Sequence, residues 1–226
     1  MENRPKTTVI LAMTADGKIA DFQRNAARFG SDIDKNHLEE KISLVDGIIF
    51  GAGTLRAYGT TLTVKNTDLL ATRKRKNKPS QPINIVVSAS GEIDSNLRFF
   101  SQCVPHWLIT TEKGAKNNAS IFEKVLIFST KETGKIDLIK AFKILKQMGL
   151  NDLAILGGGT LVASCLEENL IDEFWLTLCP YILGGKTAPT PVEGKGFLSF
   201  CSQQLELSSL EQIEQEIFLH YKVMSR

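Results

Sequence analysis

Histidine and cysteine are scarce in this chain, with three and four among 226 residues. The cysteines, Cys103, Cys165, Cys179 and Cys201, are far apart, with no CxxC pair and no histidine at ligand spacing. That spacing argues against a metal centre and for reduced core thiols in a cytoplasmic protein. His37, His106 and His220 belong to no serine or cysteine motif, so nucleophilic catalysis has no support and each reads as structural. Long apolar runs are also missing. The opening Met1-Glu2-Asn3-Arg4-Pro5-Lys6 has no apolar signal core, and nothing later approaches a membrane span. Charge of one sign is lacking too: 27 basic against 25 acidic residues leave a net +2, which predicts neither a nucleic-acid partner nor a membrane surface. No repeat, low-complexity tract or linker divides the chain, so one domain over 1–226 is expected. Neither GxGxxG nor a complete GxxxxGK[ST] occurs.

What is present is an ordinary globular composition, 42% hydrophobic and 23% charged, sufficient for a large core. The centre of the chain is Leu153-Ala154-Ile155-Leu156-Gly157-Gly158-Gly159-Thr160-Leu161-Val162: an apolar strand, a glycine turn and an apolar-periodic helix from Thr160. Such a junction points backbone N–H groups and the positive end of a helix at one spot, which suits an anion, most often a nucleotide phosphate. It also reads as a tight connection with nothing bound.

In chain order, Thr7–Met13 reads as a buried strand that breaks at Thr14-Ala15-Asp16-Gly17, where Asp16 is taken as a turn former. Ser31 or Asp32 caps a helix to about Leu44, with Ile33, Leu38, Ile42 and Val45 on one face and Gly47 at its end. Ile48-Ile49-Phe50 is a second strand, followed by Gly51-Ala52-Gly53-Thr54 and a short helical turn. Arg73, Lys74, Arg75, Lys76 and Lys78 read as a solvated loop, with phosphate steering as the alternative. A third strand, Ile83–Ser88, stops at Ala89-Ser90-Gly91; Ser88 and Ser90 either meet a phosphate or make a turn. Trp107–Thr110, Val125–Phe128 and Phe174–Cys179 are further strands, Ile136–Met148 and Thr160–Asn169 helices, and Leu205–Leu210 with Ile217–Val223 a hairpin. Alternating strands and helices predict an α/β fold with a mixed, mostly parallel sheet flanked by helices and a C-terminal antiparallel hairpin.

The order of these segments resembles the dihydrofolate reductase superfamily: Ala15-Asp16-Gly17-Lys18-Ile19, then Ile48–Thr54, then Asn84–Ser88, then Ile155–Gly159. Leu166–Glu173 and Cys179-Pro180-Tyr181-Ile182-Leu183-Gly184-Gly185-Lys186-Thr187-Ala188-Pro189-Thr190 are similar to the riboflavin-pathway reductase family. The resemblance runs from Thr8 to about Tyr221, and the deaminase signature pair, HxE with PCxxC, is absent. It implies an NADPH-dependent reductase, a homodimer, with a small phosphorylated substrate. It also implies roles. Gly157, Gly158, Gly159, Thr160 and Leu161 would wrap the pyrophosphate; Gly51 and Thr54 would lie beside phosphate; Ser88 or Ser90 would sit near the 2′-phosphate; Ala12 and Ile19 would line the nicotinamide. Hydride would reach C1′ of a ring-opened sugar. The dimer contact is expected at Phe174–Leu178 with the hairpin.

Departures cluster on the substrate side. Leu156 stands where the family has a glutamate, Tyr58-Gly59-Thr60 where it has Asp-Asp-Pro, Ile10 and Ile42 where it has cations, and Lys65 where it has arginine. The substrate pocket is therefore expected to be less polar, around Tyr58, Lys65 and Leu156, and weak on the ribosylaminopyrimidine phosphate unless Lys65, Arg28 or Arg56 holds its phosphate.

Overall fold

A computed structural model describes residues 3–117, 119–130 and 134–224. Apolar runs in the body of the chain and the two C-terminal segments form nine strands: β1 Lys6–Thr14, β2 Gly47–Gly51, β3 Ile83–Val87, β4 His106–Thr110, β5 Lys124–Ile127, β6 Asp152–Ile155, β7 Glu173–Cys179, β8 Leu205–Ile213 and β9 Glu216–Val223. Their order in the sheet is β5-β4-β3-β2-β6-β1-β7-β9-β8, parallel through β7, with β9 and β8 antiparallel. Helices α1 Asp32–Leu44, α2 Ala52–Tyr58 and α3 Thr67–Arg75 follow the first two strands; α4 Leu138–Gln147 precedes β6 and α5 Gly159–Glu167 follows it.

Alternation along the strands sorts the core into two layers, because successive side chains point to opposite faces. Val9, Ile49, Ile85, Ile109, Leu153 and Ile155 pack with Phe142 and Leu145 of α4 and Val162 and Cys165 of α5. Their neighbours in sequence, Ile10, Ile48, Val86, Leu108 and Ala154, pack on the other face with Ile42 of α1, Leu55 of α2 and Phe99.

The caps explain the helix starts. Ser31 Oγ accepts from the amides of Ile33 and Asp34 at 3.0 and 3.2 Å, so α1 begins at Asp32. Asp137 caps Lys140 N at 2.9 Å, which starts α4 at Leu138 and leaves Ile136 in a bridge to Ser129. Gly47 does not end α1. The helix closes with Val45 in an extended conformation, and Gly47 opens β2, where a Cβ would lie 3.0 Å from the side chains of Leu150 and Leu153.

The basic run is not wholly a loop. Its first half is the last turn of α3, and Arg73, 1% exposed, donates from Nη1 to the carbonyls of Ser43 and Val45 at 2.8 and 2.9 Å. Its Nε donates to the carbonyl of Pro79 at 2.7 Å, and Lys78 pairs with Asp46, just ahead of β2. The run thus ties α3 and α1 to the N-terminal edge of the sheet, while the glycine turns lie at the C-terminal edge. The expected contact strand, β7, is also interior: β1 pairs with one side of it and β9 with the other. The edge strands of the sheet are β5 and β8, and β8 is the one beside β9.

Candidate functional site

Two glycine turns meet at the C-terminal edge. Gly51, ending β2, donates its N–H to the carbonyl of Gly157 at 2.9 Å, and Leu156 N donates to Ile49 O at 2.9 Å. Gly157 has φ +101°, and the Gly157–Gly158 peptide is cis. Gly157 and Gly158 face Thr54 of α2: their Cβ atoms would lie 3.7 and 3.4 Å from its Oγ1, and that of Gly157 would lie 3.2 Å from Leu11. Side chains here would fill a cradle formed by backbone and one hydroxyl. Gly158 is the N-cap of α5, so the first amides of that helix have no intrahelical acceptor and point outward.

The third glycine has a different cause. A Cβ on Gly159 would collide with the carbonyl of Thr190, and Glu193 N donates to Gly159 O at 3.1 Å. Gly159 is bare because the 190–193 segment lies on it. The Thr160 hydroxyl is engaged as well, donating to Glu193 Oε2 at 3.0 Å, and Glu193 in turn pairs with Arg24. Of the five residues expected at the pyrophosphate, Gly157 and Gly158 face the open cradle, Gly159 and Thr160 offer only backbone amides, and Leu161 is core.

Beside the cradle the sheet is interrupted. β1 pairs with β6 only as far as Val9↔Ile155, yet continues along β7 to Thr14↔Cys179. From Ile10 onward β1 has a strand neighbour on one side only, and the other side opens towards the glycine turn. Ala12 lies in that half. Ile19 closes the far end, its N–H donating to Pro189 O at 3.0 Å. The loops around the slot are latched by Asp16, which accepts from Thr14 Oγ1 at 2.6 Å, Leu183 N at 3.2 Å and Gly184 N at 2.6 Å. These bonds, that of Thr14 foremost, hold its carboxyl down at about 2. Asp16 therefore does more than form its own turn.

Sequence reading missed the polar cluster on the α1 face. Ser31 donates its N–H and its hydroxyl to Glu216 of β9, at 2.9 and 2.6 Å. In a capping box the acid three residues after the cap would take that N–H. Glu216 replaces Asp34 there, and the Asp34 carboxyl turns to the Thr177 hydroxyl of β7. Thr177 is the cross-strand partner of Ala12, which places Asp34 over the one-sided half of β1. Burial, and the Glu216 charge more weakly, push Asp34 upward. Gly30 makes room for it, since a Cβ there would collide with Asp34 Oδ2. Tyr58 borders the cluster; its hydroxyl donates to Ala27 O at 3.0 Å, and burial raises its pKa, with weaker effects from Asp34 and Arg28. Cys179, buried beside Glu216, is pushed up to about 12 by desolvation and is inert. The capping signal at Ser31 was visible in the sequence; its acceptor, 185 residues on, was not.

Other expected residues are distributed as follows. Ser88 is buried and its hydroxyl accepts from Gly91 N at 3.1 Å; Ser90 is exposed, and its carbonyl accepts from Asn117 Nδ2 at 2.9 Å. Both lie at the C-terminal end of β3, on the same edge as the cradle. Leu156 packs on the α1-side core with Ile10 and Ile42, the latter fully buried, so no charge could replace them without rebuilding that layer. Arg56 is exposed on α2. Lys65 is set apart: Val64, next to it, exchanges hydrogen bonds with Gln81 at 2.9 and 2.7 Å, just ahead of β3 on the opposite edge. Among the described residues there is no group of His, Cys, Asp and Glu able to hold a metal, and no helix long and apolar enough to cross a membrane.

Comparison with known proteins agrees with this architecture. Over 198 residues the chain is 27% identical to the 2,5-diamino-6-ribosylamino-4(3H)-pyrimidinone 5′-phosphate reductase of Archaeoglobus fulgidus, covering 88% of this chain and 90% of the relative. A pyrimidine reductase-like protein of Corynebacterium diphtheriae superimposes with a TM-score of 0.82 at 21% identity, over 99% of this chain and 94% of that one. Dihydrofolate reductase of Enterococcus faecalis superimposes with a TM-score of 0.51 at 12% identity, over 97% of each chain. Residues 5–219 match the family model described as the RibD C-terminal domain. The nine-stranded sheet with its paired glycine turns is thus that of a dihydrofolate reductase-like fold, and the chain belongs to the RibD C-terminal domain family.

Proposed function

We propose that this single domain is an NADPH-dependent reductase of riboflavin biosynthesis, reducing a ribosylaminopyrimidine 5′-phosphate as a cytoplasmic homodimer. The observation that carries the reading is the bare cradle of Gly51, Gly157 and Gly158 beside the one-sided half of β1. A dinucleotide fits it: the amides of α5 and Thr54 would take the pyrophosphate, Ala12 and Ile19 would flank the nicotinamide, and Ser90 would meet the 2′-phosphate. The Ser88 hydroxyl holds the loop that carries Ser90. When bound, the cofactor supplies a hydride. The protein orients the substrate and manages the proton. Asp34, whose affinity for a proton is raised by burial, is the proposed holder of that proton on the α1 face, where the C1′–N linkage of the substrate would take it up. Arg28, near Tyr58, is the cation best placed for the substrate phosphate; Tyr58 and Leu156 form walls.

The test is turnover of the ribosylaminopyrimidine phosphate. A kcat/KM above about 10⁴ M⁻¹s⁻¹, the lower end for ordinary enzymes, is expected. NADPH should bind about tenfold or more tightly than NADH, the effect of one charge-assisted hydrogen bond. As pH rises through the raised pKa of Asp34 the rate should fall, and Asp34→Asn should abolish that dependence. The apolar trio Ile10, Ile42 and Leu156 favours a second reading, the same chemistry on another small carbonyl, imine or pterin-like compound. Turnover well below that value, with NADPH affinity intact, selects it; loss of dinucleotide affinity would leave only a non-catalytic protein.

A further inference from the structure

Glu216 begins β9 and is 5% exposed, and nothing in the proposed reduction touches it. Three donors converge on its two oxygens: the Ser31 N–H at 2.9 Å, the Ser31 hydroxyl at 2.6 Å and the Cys179 thiol at 3.6 Å. Burying a carboxyl in this way is unfavourable without such bonds, and a nearer acid was available for the helix start. Asp34 stands three residues after the Ser31 cap, where a capping-box acid accepts the N–H of the cap itself. It makes no such bond, because Glu216 holds that N–H from across the sheet.

The consequence falls on the direction of the Asp34 side chain. Ser31 Oγ accepts from Asp34 N at 3.2 Å, so the cap fixes the Asp34 backbone whichever way the carboxyl points. With the Ser31 N–H already taken, the carboxyl reaches Thr177 of β7. Thr177 lies between Ala12 of β1 and Phe218 of β9, and Glu216 is two residues before Phe218 on the same face. The charged and titratable groups that face Asp34 are Glu216 from β9, Cys179 from β7, Tyr58 from α2 with Arg28 near it, and Lys35 of α1 itself. Of these, Glu216 alone takes the donor that would otherwise turn Asp34 away.

We propose that Glu216 is a positioning residue for the reduction: by taking the Ser31 N–H it removes the local capping bond from Asp34 and keeps that carboxyl aimed at Thr177 and the open half of β1. The proposal rests on the reading of Asp34 as the proton holder. A purely structural Glu216 would only tie the hairpin to α1.

Glu216→Ala and Glu216→Gln separate the two roles. The first removes the acceptor, so Asp34 should turn back to the Ser31 N–H in a crystal structure of the variant, which keeps the cap filled. The kcat with NADPH should then fall on the order of 10²-fold, the cost of misplacing a reacting group by about 1 Å, while KM, NADPH affinity and melting temperature stay near those of the parent. The second variant keeps an acceptor without the charge. It should retain most of kcat at low pH, and its rate should begin to fall at lower pH than that of the parent, since the Glu216 charge is one cause of the upward shift of Asp34. An Asp34 that stays on Thr177 in the Glu216→Ala crystal overturns the inference, whatever the activity. So does a lowered melting temperature with kcat unchanged, or an equal loss of kcat in both variants. A turned Asp34, in a protein whose parent does not reduce the ribosylaminopyrimidine phosphate, supports the positioning and overturns the reductase reading instead.

Discussion

At the scale of single residues, the three glycines of the central turn have separate causes and should fail differently when replaced. Gly158→Val puts a branched side chain into the cradle next to Thr54, so it should abolish NADPH and NADH binding while the melting temperature stays close to that of the parent. Gly159→Ala should instead lower the melting temperature, because its methyl group would meet the Thr190 carbonyl. Fluorescence titration and thermal melts on the two variants separate these outcomes. His37 provides a pH test. Its ring packs against Trp175 and Phe218, and burial, with Lys41 nearby, lowers it to about 4. Between its ordinary value of 6.5 and about 4 the unfolded chain binds a proton that the folded chain refuses, so stability falls on acidification across that window. Melts of His37→Phe should lose that part of the slope.

The glycine turn was legible from residue type alone, since only glycine permits such close approach. Asp34 was not. Nothing near it in sequence distinguishes it from any acid in the first turn of a helix; its partners arrive from β7 and β9. The opposite error arose at Arg73, where a run of cations looked solvated. A long side chain reaching backward to carbonyls 28 and 30 residues earlier leaves no mark in a local window.

At the scale of elements, strands were the most readable, because alternation and apolar runs record which face is buried. Helix starts were set by caps, which explains the shift of α4 from Ile136 to Leu138. The joint between α1 and α3 depends on Arg73. Replacing it by methionine leaves the carbonyls of Ser43, Val45 and Pro79 without their donor in a buried setting. Unsatisfied groups of this kind cost about 1–3 kcal/mol each, so for three of them a loss of about 3 kcal/mol or more is expected in urea unfolding. Dinucleotide affinity should change little, since this joint is on the far edge from the cradle.

At the scale of the whole molecule, the parallel body of the sheet was predictable and its free edge was not. Sequence pattern marks β7 as apolar without saying that β9 covers it. Of the two edges, β5 and β8, the second carries Leu207 and Leu210, 49% and 59% exposed, and follows Phe200, 82% exposed. An uncovered apolar edge is a hazard in a monomer, so the proposed homodimer is expected to use this surface. Leu210→Lys should shift sedimentation from a dimer towards the 25.0 kDa monomer, leaving the circular dichroism spectrum unchanged. A parent protein that sediments as a monomer at micromolar concentration would exclude this interface.

The bond from Ser31 to Glu216 spans almost the whole chain. It makes the acid a product of completed assembly. The glycine cradle, the first strand and the first helix are all encoded before residue 170, yet the Ser31 N–H is taken by Glu216 of the last strand and not by Asp34. A chain that ended before β9 would lack Glu216, and with it the acceptor that takes the Ser31 N–H in place of Asp34. The terminal hairpin thereby sets the environment of the first helix, although the two lie at opposite ends of the chain.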